Sequence, residues 1–273
     1  MTHDSSKSTR SNAVPAKKTA STSHSKSGVR NFGRRLAGKV AVITGGSKGI
    51  GYAVAKALAS EGCSVVLSAR DSAVLNAGAE QLRKHSDRDV KIVPLACDVR
   101  NPDAVENLFS AVRERFAVID VLFNNAGISQ PPTPLERTSL EMWRDQIDIN
   151  LTGLFLCTRA ALPLMQSGAT IINNLSAAAR QVFPNFYGYT AAKTGALGFT
   201  LSLRAELMPR GIRVTALMAG ATATDLWQQI MPNAPFEHMI KPESLAEAVL
   251  YAVLLPPEAN LSEILVTPIL GAV

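Results

Sequence analysis

From residue 39 onward, seven short runs rich in branched apolar residues recur, each separated from the next by a longer stretch of helical character. They are KVAVIT (39–44), SVVLSA (64–69), VKIVPLAC (90–97), IDVLFNN (119–125), ATIINNLS (169–176), IRVTALM (212–218) and EILVTP (263–268). Strands that are apolar almost throughout, rather than at every second position, must be covered on both faces. The segments between them, such as GYAVAKALASEG and PDAVENLFSAVRERF, carry the one-sided apolar spacing of covering helices. The fold class expected is therefore α/β: a single Rossmann-like domain, a doubly wound parallel sheet of about seven strands with helices on both faces. In such a sheet ligands sit beyond the carboxyl ends of the strands, where the strand order reverses. Residues that directly follow a strand are thus the first candidates for chemistry.

The first strand runs straight into TGGSKGIG, residues 44–51. Gly45, Gly49 and Gly51 permit a tight turn and a close backbone approach, and the amides of the following helix stabilise a pyrophosphate. Ser47, Lys48 and Ile50 complete the loop. A glycine triplet alone is also compatible with a plain turn, but strand, loop and helix in this order point to a dinucleotide. The second strand ends LSAR, with Arg70 where an acid commonly meets the ribose of NAD, and no acid before Asp71. Arg70 offers forked donors to a 2′-phosphate and Lys48 a second positive charge, so NADP(H) is the expected cofactor. As ordinary surface charges the two would carry no such meaning. In CDVR, Asp98 and its neighbour Val99 are candidates for the adenine, with helix capping as the other role open to Asp98.

Residues 187–193 read YGYTAAK. Side chains four apart on a helix share a face, so Lys193 meets Tyr189 and not Tyr187. An adjacent ammonium favours phenolate, and the expectation is that the pKa of Tyr189 falls toward neutrality, making it a general acid. An isolated Y-x-x-x-K is more often an aromatic beside a solvated lysine, so the weight rests on the other motifs.

Those are NNAG at 124–127, IDIN ending in Asn150, and Ser176, thirteen residues before Tyr189. Together with the glycine loop and YTAAK they resemble the short-chain dehydrogenase/reductase (SDR) family over residues 36–268. The resemblance implies a catalytic tetrad: Asn150 anchoring a water in a proton relay, Ser176 holding the substrate oxygen, Tyr189 exchanging the proton, and Lys193 binding the nicotinamide ribose. It further implies a cofactor channel lined by Asn125, Ala126 and Gly127, hydride transfer between nicotinamide and a carbonyl or secondary alcohol, and a homodimer or homotetramer pairing helices near 139–166 and 186–208. Two departures stand out. Ala219-Gly220 replaces the family's Pro-Gly after the sixth strand, which is expected to loosen that end of the site, with Thr222 and Thr224 left to meet the carboxamide. The ending SEILVTPILGAV lacks the close of many acyl-chain reductases and looks more like the branch acting on hydroxy acids and miscellaneous carbonyls.

The net charge of +6 is concentrated in the first 35 residues, which hold eight lysines and arginines against one acid, Asp4. The rest is nearly neutral, so nucleic acid is not an expected partner. Segment 1–35, rich in Ser, Thr and Lys, is expected to be a disordered tail ahead of the domain at 36–273. An amphipathic organelle-targeting pattern is not evident in it, no apolar run reaches a bilayer-spanning length, and a cytoplasmic protein is expected. Cys63, Cys97 and Cys157 sit in apolar segments as reduced thiols, and no metal-ligand spacing is present. Segment 225–241, with Trp227, Ile230, Met231 and Phe236, reads as an apolar lid or as a helix packed on the core. Arg180 is a candidate for a substrate carboxylate, though a surface arginine is the commoner role. A dinucleotide-sensing protein without turnover, or an NAD-preferring hydroxy-acid dehydrogenase, are the competing functions.

Overall fold

The computed structural model describes Met1 and residues 34–271. The expected disordered tail therefore lies outside the described residues, apart from Met1, Arg34 and Arg35. Arg35 is held by Glu61: its Nε donates to Glu61 Oε2 at 3.0 Å, and the backbone amides of Arg34 and Arg35 donate to the same oxygen at 3.3 and 3.2 Å. The Arg35 hydrogen bond keeps the buried Glu61 carboxyl below its usual range.

Seven parallel strands form one sheet: β1 (Val40–Thr44), β2 (Ser64–Ala69), β3 (Ile92–Ala96), β4 (Ile119–Asn124), β5 (Met165–Asn174), β6 (Arg213–Ala219) and β7 (Glu263–Val266), in the order β3-β2-β1-β4-β5-β6-β7. The order reverses between β1 and β4, and the register pairs Thr44 with Ser68 and Ile43 with Phe123, so the strand ends are level there. A cleft opens at such a reversal.

Eight helices are described: α1 (Gly49–Ser60), α2 (Ser72–Lys84), α3 (Pro102–Phe116), α4 (Leu140–Ile147), α5 (Gly153–Ala161), α6 (Tyr187–Leu207), α7 (Asp225–Ile230) and α8 (Pro242–Leu254). The pleat divides the strand residues between two cores. Ala41, Ile43, Val65 and Leu67 face Val54 and Leu58 of α1 and Leu245 and Val249 of α8. Val42 and Val66 turn the other way, toward Phe109 and Val112 of α3, Cys157 of α5 and Leu207 of α6. Burying each Val, Ile or Leu contributes about 1.5–3 kcal/mol. Coverage on both faces is why the strands read as unbroken apolar runs.

The helix caps settle the capping role left open for Asp98 and give Asp71 a structural one. Asp71 accepts from the amides of Ala73 and Val74 at 2.9 and 3.0 Å and so starts α2. Asn101, not Asp98, caps α3, with Pro102 in its first turn.

The expected helix over 139–166 is interrupted. A π-helical turn, Asp148–Thr152, separates α4 from α5, and β5 begins at Met165, paired with Ile119, four residues earlier than its apolar run. The run Leu140–Leu164 is, by length and composition alone, apolar enough to cross a membrane, contrary to the expectation that no such run exists; half of its most apolar window is buried inside the domain. Its first part, α4 and the π-helical turn, packs along α6, and α5 packs against α3.

Candidate active site

A cleft of about 540 Å³ opens at the carboxyl ends of the strands. Gly45, Ser47, Lys48, Gly49 and Ile50 line its floor. Gly45 and Gly49 have φ of +63° and +56°, and a Cβ on Gly51 would stand 2.3 Å from Gly45 O. These positions demand glycine for conformation or for space. The first turn of α1 holds no acidic side chain, and no side chain caps its amides. A helix start without a competing acid or side-chain cap is compatible with an anion at its amides.

A hydrogen-bonded chain connects this loop to the other end of the cleft. Asn125 Nδ2 donates to Gly45 O at 3.0 Å, Asn174 Nδ2 donates to Asn125 Oδ1 at 2.8 Å, and Lys193 Nζ donates to Asn174 O at 3.0 Å. Thr44 Oγ1 accepts from the amides of Asn125 and Ala126, both at 3.0 Å, fixing the start of the NNAG segment. Beneath lies a buried ladder: Asn124 Nδ2 donates to Thr158 Oγ1 and Asn173 Oδ1, and Asn173 Nδ2 to Thr200 Oγ1, all at 2.9 Å. It ties β4 and β5 to α5 and α6. Buried polar networks of this kind fix one arrangement when their members are paired.

Asn150, Ser176, Tyr189 and Lys193 all line the cleft. Asn150 sits in the π-helical turn, where its Nδ2 donates to Ile128 O and Gln146 O, both at 3.0 Å, and its Oδ1 accepts from Ile128 N at 3.2 Å. Gly127 passes so close that a Cβ there would lie 2.8 Å from Asn150 Oδ1 and 3.7 Å from Lys193 Nζ. Ser176 Oγ accepts from Ala178 N at 3.1 Å, which leaves its hydroxyl hydrogen for another partner.

Tyr189 and Lys193 share a helix face as their spacing requires, with Nζ 5.5 Å from the ring centroid. The expected fall in the phenol's pKa is not what the geometry produces. Burial raises Tyr189 above its ordinary value, with a Ser176 hydrogen bond opposing, and burial lowers Lys193 to about 8. The ammonium is directed at a backbone carbonyl, and desolvation of both groups outweighs their mutual attraction.

Gly220, Thr222 and Thr224 line the far wall. The looseness expected from Ala219-Gly220 is replaced by close packing: Gly220 N donates to Val266 O at 2.8 Å, and a Cβ at Gly220 would meet Pro268 Cδ at 2.9 Å. Trp227, Ile230 and Met231 of segment 225–241 line the cleft, while Phe236 stands outside it. Arg70, Asp98 and Val99 are also outside. Val99 is buried against the start of α5, where a Cβ on Gly153 would strike its Cγ2, and Asp98 is engaged by Arg100 at 2.7 Å. Lys48, expected beside Arg70, pairs instead with Asp225 at 3.1 Å. Arg180 is drawn away from the cleft onto Glu263. Sequence reasoning missed Asn174, Gln146, Thr44 and Asp225. Their roles come from through-space partners, which no local pattern in the sequence signals.

A sequence profile described as short chain dehydrogenase matches residues 39–235. A curated 3-oxoacyl-[acyl-carrier-protein] reductase of Synechocystis sp. is 37% identical over 83% of this chain and 94% of its own. The alcohol dehydrogenase of the archaeon Thermococcus sibiricus, solved with 5-hydroxy-NADP, superposes with a TM-score of 0.78 at 31% identity, covering 85% of this chain and 97% of its own. A 3-ketoacyl-(acyl-carrier-protein) reductase from Brucella melitensis, solved with NADH, does so at 0.76 and 30% identity, over 85% and 98%.

Proposed function

Because the chain belongs to the short-chain dehydrogenase family, we propose that this oxidoreductase interconverts a carbonyl compound and a secondary alcohol using NADP(H), with Tyr189 as the acid/base. The observation that carries this reading is the hydrogen-bonded run from Gly45 through Asn125 and Asn174 to Lys193, which joins an anion cradle to a lysine and tyrosine in one cleft. The glycine loop fits a nicotinamide dinucleotide, since the positive φ of Gly45 and Gly49 and the close approach of Gly51 to Gly45 O hold the tight turn that brings backbone amides to a pyrophosphate. Relatives solved with 5-hydroxy-NADP and with NADH favour the same cofactor class. The bound nucleotide supplies a hydride to the carbonyl carbon and is itself oxidised.

The chain's own residues do the rest. Ser176 donates its hydroxyl hydrogen to the carbonyl oxygen, and Tyr189 delivers the proton as negative charge develops there. A phenol raised by burial is protonated at neutral pH, the state that reduction requires. Lys193 holds a positive charge under the site, and Asn150 keeps the π-helical turn in place through Gln146 and Ile128. Two copies would pair through α5 and α6, where Phe155 and Leu201 are exposed.

NADP(H) preference rests on Arg70, since Asp71 is turned into the α2 cap and Lys48 is engaged with Asp225. Arg70→Asp should lower the NADPH/NADH ratio of kcat/KM by about 100-fold, the loss of one charged hydrogen-bond set. An unchanged ratio would remove the basis for NADP(H).

The lysine sets the pH dependence. Its pKa is depressed to about 8, so the charge is present below that and lost above it. The kcat/KM for the nucleotide, which reports the free enzyme, should fall about tenfold per unit above pH 8. In Lys193→Arg the limb should disappear from this range because guanidinium stays charged. A limb unmoved by that substitution assigns it to another group.

A further inference from the structure

We infer that the substrate is an uncharged ketone, or the matching secondary alcohol, bearing an aromatic or bulky apolar group, and that carbonyl compounds carrying a carboxylate are rejected. This rests on the dehydrogenase reading above and names the substrate class of the same cleft. Beyond Ser176 and Tyr189 the wall is made by Phe183, Phe186, Trp227, Ile230, Met231 and Pro268. Phe186 stands edge-on to the Tyr189 ring, with centroids 6.5 Å apart and planes at 64°, so an aromatic face lies beside the proton donor.

The charges decide the class. Among the described residues lining the cleft, the charged side chains are Lys48, Asp225 and Lys193. Lys48 and Asp225 are paired with each other at 3.1 Å and more than half exposed, at the mouth. Lys193 is buried beneath the tyrosine on Asn174 O. The arginine nearest this wall in sequence, Arg180, gives both its short bonds to Glu263, at 2.7 and 2.8 Å. Glu263 opens β7, and it is the opposite end of that strand, through Thr267 and Pro268, that reaches the cleft. The other polar side chains on the lining, among them Ser129, Gln181, Thr222, Thr224 and Thr267, are neutral. A neutral donor can bond a carboxylate but cannot offset its desolvation, whereas an apolar group gains by entering.

The test uses the full-length protein with NADPH and with NADH, and compares acetophenone with 4-acetylbenzoate, whose carbonyls have similar intrinsic reactivity. The kcat/KM for acetophenone should exceed that for 4-acetylbenzoate by about 100-fold, the scale of an unpaired polar group in an apolar wall. Met231→Arg should shrink that ratio about tenfold by supplying the missing cation. Equal rates, or faster turnover of the carboxylate, overturn the inference and leave the oxidoreductase reading standing. A ratio unchanged in Met231→Arg, with acetophenone still turned over, makes the rejection steric and overturns the charge argument. If neither ketone is reduced by protein that binds NADPH, and a wider series of neutral ketones also fails, the carbonyl-reduction reading falls and this inference with it.

Discussion

Tyr189→Phe is expected to lower kcat by about 10³-fold, within the range contributed by a positioned general acid, while leaving NADPH affinity within a factor of about two. The phenol oxygen is the only atom removed. The ring remains to pack against Phe186 and Lys193, so the helix and the cleft should be unaltered, and circular dichroism should be unchanged. Nucleotide binding by fluorescence titration separates the roles. A protein that binds NADPH normally but no longer turns it over fits Tyr189 as the proton donor. A variant that retains more than a tenth of wild-type kcat sinks that assignment. Wild-type protein that binds the nucleotide and reduces nothing would instead support a sensing protein. Ser176→Ala should fall short of the tyrosine variant, because the serine orients the oxygen and does not itself supply the proton.

The second large effect is at the cradle. Gly51→Ala should weaken nucleotide binding by about 100-fold and cost about 1–3 kcal/mol of stability, the usual penalty for forcing an extra methyl into packed structure. Its Cβ would stand 2.3 Å from Gly45 O and 2.6 Å from Asn125 Nδ2. Neither can retreat easily. Gly45 O is the acceptor that starts the hydrogen-bonded run to Lys193, and Asn125 Nδ2 is its donor. The methyl therefore displaces the glycine loop and, through Asn125 and Asn174, disturbs the lysine at the far end. Gly198→Ala is the matched control. Within one copy nothing lies within 4 Å of a Cβ at that position, and within a helix the exchange should leave the fold of that copy neutral or more stable by up to about 1 kcal/mol. Titration calorimetry and thermal unfolding of both variants check the pair. Equal nucleotide affinity in Gly51→Ala and wild type would mean that the glycine floor is not the pyrophosphate site.

Much of the site was legible because its signals are local. Tyr189 and Lys193 are brought together by helical spacing alone, and the glycine loop by its place between a strand and a helix. The buried alternation of Val42 against Ala41 and Ile43 follows from the pleat once both faces are known to be covered. Other features depended on partners far away in the chain. Lys48 and Arg180 look like ligands for anions until Asp225 and Glu263 are seen beside them. Asn174 has no distinguishing local pattern, yet it connects Asn125 to Lys193. The π-helical turn at Asp148–Thr152 leaves the apolar spacing of α4 and α5 nearly continuous, so periodicity could not reveal it.

The amino-acid order by itself determined the parallel sheet, the switch-point cleft and the pairing of tyrosine with lysine, since each follows from repeat distances along strands and helices. The protonation of that pair, and the charge balance of the cleft, were decided only by the tertiary structure. Both depend on how much water the fold removes from Tyr189 and Lys193 and on which opposite charges it brings within reach, and neither quantity is a property of neighbouring residues in the chain.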